Sequence, residues 1–320
     1  MTLVKSKSAL LFSTVAMVLI ASVALATDLT NFQTIYGTDF NSAGYGGMRD
    51  LGTGTIGVSG ISGTVDTSYL YWHGPSQSTN LTANETVTFN GTSVTGTSLG
   101  ISDNNCWSYT CSLAYRANVT SLVSGDGNYT LADFTKDGNR VNVNGVSLVT
   151  FYDDADTSNN RDVVIFNGND SNIANPYDAN GWNISLNGIN YTSGSAYLQM
   201  HVSDGQIFTD DAVLINGMPF LATGPIFSGA STPAGAGGPD NGSLWDILSF
   251  DITGYLSAGL NNLNITSGVS SDCLSGVVFM VDLPAGAAPP VNPVPEPSTF
   301  LLLGGGLAGL AFTVRRRKKE

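Results

Sequence analysis

The sequence predicts an all-β protein made of two β-sandwich lobes of the jelly-roll or Greek-key kind. Short alternating or apolar runs such as TVTF, SLVTFY and GVVFMV recur between the two ends of the chain, and no amphipathic helical pattern interrupts them. Many of these runs are separated by Asn-Gly or Asp-Gly pairs, including Asn90-Gly91 and Asn216-Gly217, which favour tight hairpin turns. A pattern in the first half also returns in the second half, which favours two related lobes.

The internal repeat consists of four segments that recur in the same order and at nearly constant spacing. The paired segments are Ser68–His73 with Ala196–His201, Glu85–Gly91 with Asp211–Gly217, Asn118–Thr120 with Asp251–Thr253, and Gly145–Phe151 with Gly276–Asp282. One match between strand patterns arises easily by chance, but four ordered matches do so much less easily. We therefore expect one lobe over residues 27–168 and another over residues 176–284, each closing with a strongly apolar strand. One large sandwich with a coincidental pattern is the alternative.

The N-terminal segment, residues 1–26, has the pattern of a signal peptide. Lys5 and Lys7 precede an apolar stretch from Ala9 to Val23, and Ala24-Leu25-Ala26 supplies small residues for cleavage after Ala26. The alternative is an N-terminal membrane helix that is retained. Cleavage predicts an exported mature protein.

The charge of the body excludes one class of partner. Between Thr27 and Pro290 there are 5 Lys and Arg residues against 22 Asp and one Glu, so the formal charge is 5 − 23 = −18. Such a surface repels phosphate backbones, and we expect no nucleic-acid partner.

The three cysteines suggest a disulfide in an exported protein. Cys106 and Cys111 flank WSYT in a predicted loop and are candidates for a small bridge, which leaves Cys273 buried and unpaired. No spacing of Cys and His residues resembles a zinc site.

The C-terminal tail contains three ordered parts. A Pro/Ala-rich linker over residues 285–297 ends in Pro295-Glu296-Pro297, and residues 298–320 contain a short Gly-rich apolar helix followed by Arg315, Arg316 and Arg317. This pattern resembles the PEP-CTERM sorting signal of Gram-negative bacteria. The resemblance implies recognition by exosortase, a membrane transpeptidase, which removes the helix during export. It also implies transient anchoring in the inner membrane and delivery to the cell surface, the outer membrane or the extracellular matrix. A permanent C-terminal transmembrane helix is the alternative.

The body is similar to an uncharacterised family of secreted bacterial and archaeal β-proteins. The similar segments are Tyr69–Trp72, Tyr115–Thr120, Gly145–Tyr152 and Asp272-Cys273-Leu274. The sequence departs from that family at Asn118, where Asp is expected, and at Val146, where Trp is expected. The resemblance implies a fold and a surface location, and it implies no catalytic residues.

An acidic loop is the candidate metal site. Carboxylate, hydroxyl and amide oxygens alternate along it and would suit a hard cation such as Ca²⁺. The candidate ligands are Asp154, Asp156, Ser158, Asn160 and Asp162. The alternative is a solvated, Asp/Asn-rich hairpin loop without metal.

Aromatic side chains in polar loops are candidate contacts for extracellular polysaccharide. Trp107 and Trp182 lie among Gly and Asn residues, where exposed rings would stack on sugars, although burial is the commoner state of a tryptophan in a sandwich. Asn128, two residues after Asp126, is a candidate glycosylation site.

The functional expectation is a non-enzymatic structural or adhesive protein of the cell surface or of an exopolysaccharide matrix (biofilm). The only histidines, His73 and His201, occupy matching positions in the repeat, which favours a structural role over a catalytic pair. Two alternatives remain: a carbohydrate-binding protein that uses loop aromatics, and a secreted hydrolase whose acid/base pair is hidden among many Asp residues.

Overall fold

The computed structural model describes residues 28–104, 106–177, 181–229, 243–268 and 271–289. These residues form antiparallel strands with only two short 3-10 turns, Thr120–Leu122 and Thr253–Tyr255. The predicted all-β class is confirmed. The strands are β1 (Thr30–Tyr45), β2 (Gly54–Val58), β3 (Thr64–Ser76), β4 (Thr86–Phe89), β5 (Thr92–Thr95), β6 (Thr97–Ser102), β7 (Cys111–Asn118), β8 (Gly127–Ala132), β9 (Gly145–Asp153), β10 (Arg161–Ser171), β11 (Asn183–Tyr191), β12 (Tyr197–Ser203), β13 (Val213–Ile215), β14 (Met218–Leu221), β15 (Trp245–Asp251), β16 (Gly259–Ser267) and β17 (Ser275–Pro284).

A long first strand joins the two halves of a nine-stranded sheet. The strand order is β15-β12-β17-β10-β1-β9-β3-β7-β6. β1 pairs with β10 from Thr30 to Thr38 and with β9 from Asp39 to Tyr45. β17 contacts β3 and β15 contacts β9, although these strands are far apart in the sheet order. The sheet therefore folds over at β1, so that its two halves face each other.

Each half of the large sheet is covered on its outer face by a four-stranded sheet. The sheet β2-β8-β4-β5 packs on the first half around Trp72 and Tyr115, and the sheet β11-β16-β13-β14 packs on the second half around Trp182 and Phe279. A third buried cluster, which includes Tyr71 and Met280, lies between the two halves. The result is two sandwiches stacked face to face. The inner strands are buried on both faces, which explains their nearly continuous apolar sequences.

The two sandwiches have corresponding strand orders. β1-β9-β3-β7 in the first corresponds to β10-β17-β12-β15 in the second, and β2-β8-β4-β5 corresponds to β11-β16-β13-β14. Strand order alone does not establish the sequence repeat, which stays a prediction. β10 pairs with β17, so residues 161–168, which the sequence assigns to the first lobe, lie in the second sandwich.

Two of the Asn-Gly pairs form the predicted hairpin turns. Asn90 and Gly91 have φ values of 48° and 76° between β4 and β5, and Asn216 and Gly217 have φ values of 52° and 75° between β13 and β14. Positive φ at both central residues is the geometry that Asn-Gly favours. Asn167-Gly168 instead lies inside β10, where a Cβ on Gly168 would stand 2.6 Å from the carbonyl oxygen of Asp28.

Polar side chains also join the two sandwiches across their buried contact. His73 on β3 hydrogen-bonds through Nδ1 to Ser203 Oγ on β12 (2.7 Å), and His201 on β12 hydrogen-bonds through Nδ1 to Ser147 Oγ on β9 (2.8 Å). Trp245 Nε1 donates to the same Ser147 hydroxyl at 2.9 Å. These bonds satisfy the Nδ1 atoms of both histidines and restrict how the two halves can pack.

No helix within the described ranges has the length and apolar character of a membrane span. The predicted signal peptide, the part of the predicted linker from residue 290 onward and the predicted C-terminal helix lie outside the described residues.

Candidate binding cleft between the two sandwiches

A cleft of about 300 Å³ opens where loops of the two sandwiches meet. The β6–β7 loop of the first sandwich contributes Cys106 and Trp107. Two loops of the second sandwich complete the lining with Gln206, Phe208, Ser271, Asp272 and Cys273. Two aromatic rings thus stand beside amide, hydroxyl and carboxyl groups, a combination typical of small-ligand sites.

A disulfide between Cys106 and Cys273 ties the two sandwiches together at this cleft. The predicted Cys106–Cys111 bridge is therefore wrong. Cys111 begins β7 with its thiol turned into the first sandwich, where Sγ lies 3.3 Å from the carbonyl oxygen of Ser78. Cys106 lies in the loop toward the second sandwich, with a Cα–Cα distance of 6.0 Å to Cys273. That distance is within the range that a disulfide spans.

Trp107 is held against a buried ion pair below the loop. Its ring covers the guanidinium of Arg49 at 4.0 Å, and its Nε1 donates to the carboxylate of Asp204 at 2.7 Å. Arg49 Nη2 lies 3.2 Å from Asp204 Oδ1, and Asn144 Nδ2 donates to the same oxygen at 3.1 Å. Burial raises the pKa of Asp204, while Arg49 and Trp107 oppose that rise. The ion pair, which bridges the sandwiches, therefore orients the tryptophan of the cleft.

Two buried carboxyls, Asp210 and Asp272, belong to the loops of the second sandwich near the cleft, and Asp272 lines it. Asp210 is 1% exposed, and its Oδ2 accepts hydrogen bonds from the backbone amides of Ile226 and Phe227, both at 2.7 Å. The backbone amide of Cys273 donates to Asp272 Oδ1 at 3.0 Å. Burial raises the pKa of Asp210 to about 7 and that of Asp272 to about 6.

Of the two tryptophans predicted to contact glycans, only Trp107 reaches the cleft. Trp182 is 2% exposed, and its ring packs edge-on against Phe227 and Phe279. Its Nε1 donates to the backbone oxygen of Asp170 at 2.8 Å. The prediction for Trp182 is therefore wrong, because the Gly/Asn-rich sequence around it leads directly into the core strand β11.

The predicted calcium ligands do not all remain available in the acidic loop. Asp162 is 1% exposed, and its carboxylate accepts the backbone amides of Gly37 (3.0 Å), Gly286 (2.7 Å) and Ala288 (3.2 Å). The Asp162 carboxylate thus connects the segment after β17 to β1. Because its oxygens are occupied by these amides, the structure does not support Asp162 as a calcium ligand. Elsewhere Asp156 Oδ1 accepts from the amide and the hydroxyl of Ser158, as in a polar turn.

Two further predicted ligands, Asp154 and Asn160, form hydrogen bonds with the backbone of the loop and of β1. Asp154 Oδ1 accepts the amide of Asp156 at 2.8 Å, and Asn160 Nδ2 donates to the carbonyl of Gly37 at 2.8 Å. Within the described parts of the chain, no group of three or more His, Cys, Asp or Glu side chains is arranged to hold a metal. Calcium binding by the loop stays a prediction.

Asp39 on β1 lies against this loop and was not expected from the sequence. It is 8% exposed, and burial together with the nearby charges of Asp154 and Asp153 raises its pKa. The contact of Asp39 with this loop depends on the pairing of β1 with β9, which the sequence does not give.

The two histidines are buried and neutral. Both are fully shielded from solvent, and burial lowers the pKa of each to about 3. A histidine in this state does not exchange protons with a ligand in the cleft near neutral pH. This agrees with the structural role expected for His73 and His201.

Asn128 is exposed on β8, where it pairs with Gly57. The carboxylate of Asp126 accepts the amides of Gly60 and Ile61 at 3.0 and 2.8 Å, so it holds the neighbouring turn. Glycosylation of Asn128 stays a prediction. The sorting residues Pro295, Glu296, Pro297, Arg315, Arg316 and Arg317 lie outside the described residues.

The sequence did not single out Arg49, Asp204 and Asp272 as neighbours. The sequence contains many Asp residues, and it shows only that Asp204 follows one apolar strand pattern and that Asp272 precedes another. Which loop residues become neighbours can be predicted only when the strand pairing is known.

Comparison with protein families gives a match over most of this body. The family described as "Protein of unknown function (DUF3344)" matches residues 62–279, more than half of the chain, from the start of β3 into β17. The chain belongs to the DUF3344 family. This confirms the resemblance to an uncharacterised family, and the matched DUF3344 region includes strands of both sandwiches and every residue that lines the cleft.

The C-terminal tail of this DUF3344 protein carries a recognised sorting signal. The PEP-CTERM protein-sorting motif matches residues 293–318, which confirms the identification made from Pro295-Glu296-Pro297. The signal implies export and membrane-associated sorting by exosortase in Gram-negative bacteria.

Solved structures give only weak likenesses. A peptide-N(4)-(N-acetyl-β-D-glucosaminyl) asparagine amidase is 13% identical, with a TM-score of 0.31 and coverage of 82% of this chain and 98% of its own. BpGH86A, a β-porphyranase from the human gut bacterium Bacteroides plebeius, is 14% identical, with a TM-score of 0.21 and coverage of 82% and 37%. Values this low carry no inference about activity. No curated protein matches the chain significantly.

Proposed function

We propose that the mature protein is a non-enzymatic structural or adhesive component of the cell surface or of the exopolysaccharide matrix. Two features together support this proposal. The tail carries a signal for export and sorting, and the disulfide Cys106–Cys273 joins the two sandwiches of the body. A disulfide that joins two stacked sandwiches suits a protein that must keep its shape outside the cell.

The charge and the buried histidines support the same function. The acidic body should repel phosphate polymers, and both imidazoles are buried. The described region therefore offers no histidine as an acid/base group for hydrolysis near neutral pH.

Gene deletion and complementation in the host test this function. Surface attachment of the deletion strain should fall, and the wild-type gene should restore it. A gene with Glu296→Ala should give folded protein that is not sorted and should not restore attachment. Unchanged attachment after deletion, or turnover of a glycan or peptide by the purified protein, contradicts the proposal.

A second candidate function, carbohydrate binding, is favoured by the cleft. Trp107 and Phe208 stand beside Gln206 and Asp272, and rings next to amide and carboxyl groups are the usual means of holding a sugar. Phe208 is 46% exposed, so its ring is available without unfolding.

Pull-down with purified surface polysaccharides tests the binding candidate. Phe208→Ala should weaken binding at least several-fold, because one of the two rings is lost. Leu260→Ala is the matched control, since Leu260 is 81% exposed on β16 and does not line the cleft. Equal loss in both variants, or no loss in Phe208→Ala, contradicts binding at this cleft.

A further inference from the structure

The disulfide of this protein joins two cysteines that are distant in sequence, although a third cysteine lies close to one of them. Cys106 and Cys273 are 167 residues apart, whereas Cys111 follows Cys106 by five residues. Because the entropic cost of closing a loop rises with its length, the unfolded chain should bring Cys106 to Cys111 on the order of 100-fold more often than to Cys273. The unfolded chain therefore favours a pair that the folded structure does not contain.

The direction of export favours the same pair. The predicted signal peptide is N-terminal, so residues of the first sandwich leave the cytoplasm before those of the second. Cys106 and Cys111 thus reach the oxidising compartment while Cys273, which lies just before β17, is still to follow. An oxidant that acts at this stage has only these two thiols to join.

The fold requires that a bond between Cys106 and Cys111 be broken. Cys106 forms one disulfide only, and in the structure its partner is Cys273. Cys111 pairs with Ser76 between β7 and β3, and its Sγ lies 3.5 Å from the Ser76 carbonyl oxygen. Its side chain is fully buried in the first sandwich, whereas Cys106 is exposed in the loop before β7. The native pairing therefore forms only after the shorter bridge has been exchanged.

Burial of Cys111 makes the native pairing persistent once it has formed. Burial raises the pKa of the Cys111 thiol to about 11, so very little thiolate is present near neutral pH. The thiolate is the form that attacks a disulfide, and the buried sulfur is also out of reach of the cleft. The folded protein thus has no available thiol on Cys111 to reverse the exchange.

We propose that this protein matures through a transient Cys106–Cys111 disulfide and that a thiol–disulfide isomerase of the export compartment is its folding partner. The route depends on export and on the three cysteines, and it does not depend on what the cleft binds. The isomerase would act on Cys106, because this residue stays in an exposed loop and is shared by the transient and the native bonds.

The exchange balances without a further oxidant. In the first oxidation, the thiols of Cys106 and Cys111 pass two electrons and two protons to the disulfide of an oxidoreductase. A thiolate of the isomerase then attacks Cys106 Sγ, which forms a mixed disulfide and releases the Cys111 thiolate to take up a proton. Finally, the Cys273 thiolate attacks the same Cys106 sulfur and releases the isomerase thiolate. One disulfide is present before and after the exchange.

Oxidative refolding with peptide mapping tests the route. The purified protein is reduced, unfolded in urea and diluted into a glutathione redox buffer, and samples are alkylated at intervals. In the earliest samples the linked peptide with Cys106 and Cys111 should exceed that with Cys106 and Cys273 about 10-fold, and it should then decline as the native bond appears. Added protein disulfide isomerase should accelerate this conversion about 10-fold or more.

The variant Cys111→Ala is the matched control, because it keeps both cysteines of the native bond. It should form Cys106–Cys273 in one phase whose rate does not change when the isomerase is added. In a Gram-negative export host that lacks its thiol–disulfide isomerase, wild type should accumulate with the Cys106–Cys111 bond, whereas Cys111→Ala should still form the native bond. Should Cys111→Ala fail to fold, Cys111→Ser is measured in its place.

Two results overturn the proposal. Formation of Cys106–Cys273 in wild type without Cys106–Cys111 at any time, at the rate seen in Cys111→Ala, excludes the transient bond. If the transient bond forms but its conversion is equally fast with and without isomerase, in the refolding buffer and in the host, the isomerase is not a partner.

Discussion

Removal of the disulfide at the cleft should strongly destabilise the protein. Cys106→Ala is the cleaner change, because Cys106 is exposed and the substitution removes the bond without leaving a cavity. The two cysteines are 167 residues apart in sequence. A loop of that length corresponds to about 5 kcal/mol in the chain-entropy description of disulfides, and removal of native disulfides from secreted domains costs about 2–5 kcal/mol. Tm should therefore fall by about 10 °C.

Differential scanning calorimetry and non-reducing peptide mapping measure this effect. Peptides containing Cys106 and Cys273 should be isolated as one linked species, and Cys111 should be alkylated only after denaturation because its thiol is buried. Cys111→Ala, which removes no disulfide, is the control and should lower Tm much less. A linked peptide that contains Cys106 and Cys111, or equal Tm values for wild type and Cys106→Ala, would show that Cys106–Cys273 does not stabilise the fold.

Three further substitutions test the roles of buried side chains. Arg49→Met leaves Asp204 buried without its cation and should cost about 3–5 kcal/mol in urea unfolding, with partial recovery when Asp204→Asn is added. His201 is neutral in the fold with its pKa lowered to about 3, so its contribution to stability is complete above pH 6.5 and is lost as the pH falls toward 3. Between pH 7 and pH 4.5 the stability of wild type should therefore drop by about 3 kcal/mol relative to His201→Gln, measured by urea unfolding at both pH values. A constant difference between the two proteins would contradict the buried neutral state. Trp182→Ala should cost about 3–5 kcal/mol because the ring is in the core, whereas Leu260→Ala should change stability by less than about 0.5 kcal/mol in the same measurement; similar effects would place Trp182 at the surface.

The strands and two of the turns could be predicted because their signals are local. Alternation along TVTF and the Asn-Gly pair after it suffice to define the β4–β5 hairpin. The class of the fold follows from many such signals. The folding of the large sheet at β1 could not be predicted, because it depends on one strand that changes partner between Thr38 and Asp39.

The cleft was harder to predict because its residues come from separate loops. Spacing along the chain favours Cys106–Cys111, but the strand β7 turns Cys111 inward and places Cys106 near Cys273. Polar neighbours suggested exposure for both Trp107 and Trp182, although strand pairing buries one of them. Sequence composition cannot make these distinctions, since they depend on which face of a strand each side chain occupies.

We propose that the sorting signal delivers this DUF3344 protein to the cell surface or to the polysaccharide matrix. Fractionation of the native host, with intact-mass analysis of the protein in each fraction, decides whether this delivery takes place. We expect the mature chain in the surface or matrix fraction, beginning after Ala26 and lacking the segment that follows Pro295-Glu296-Pro297. Recovery of the uncut chain with Arg315–Arg317 in the inner-membrane fraction alone would rule out delivery to the surface or to the matrix.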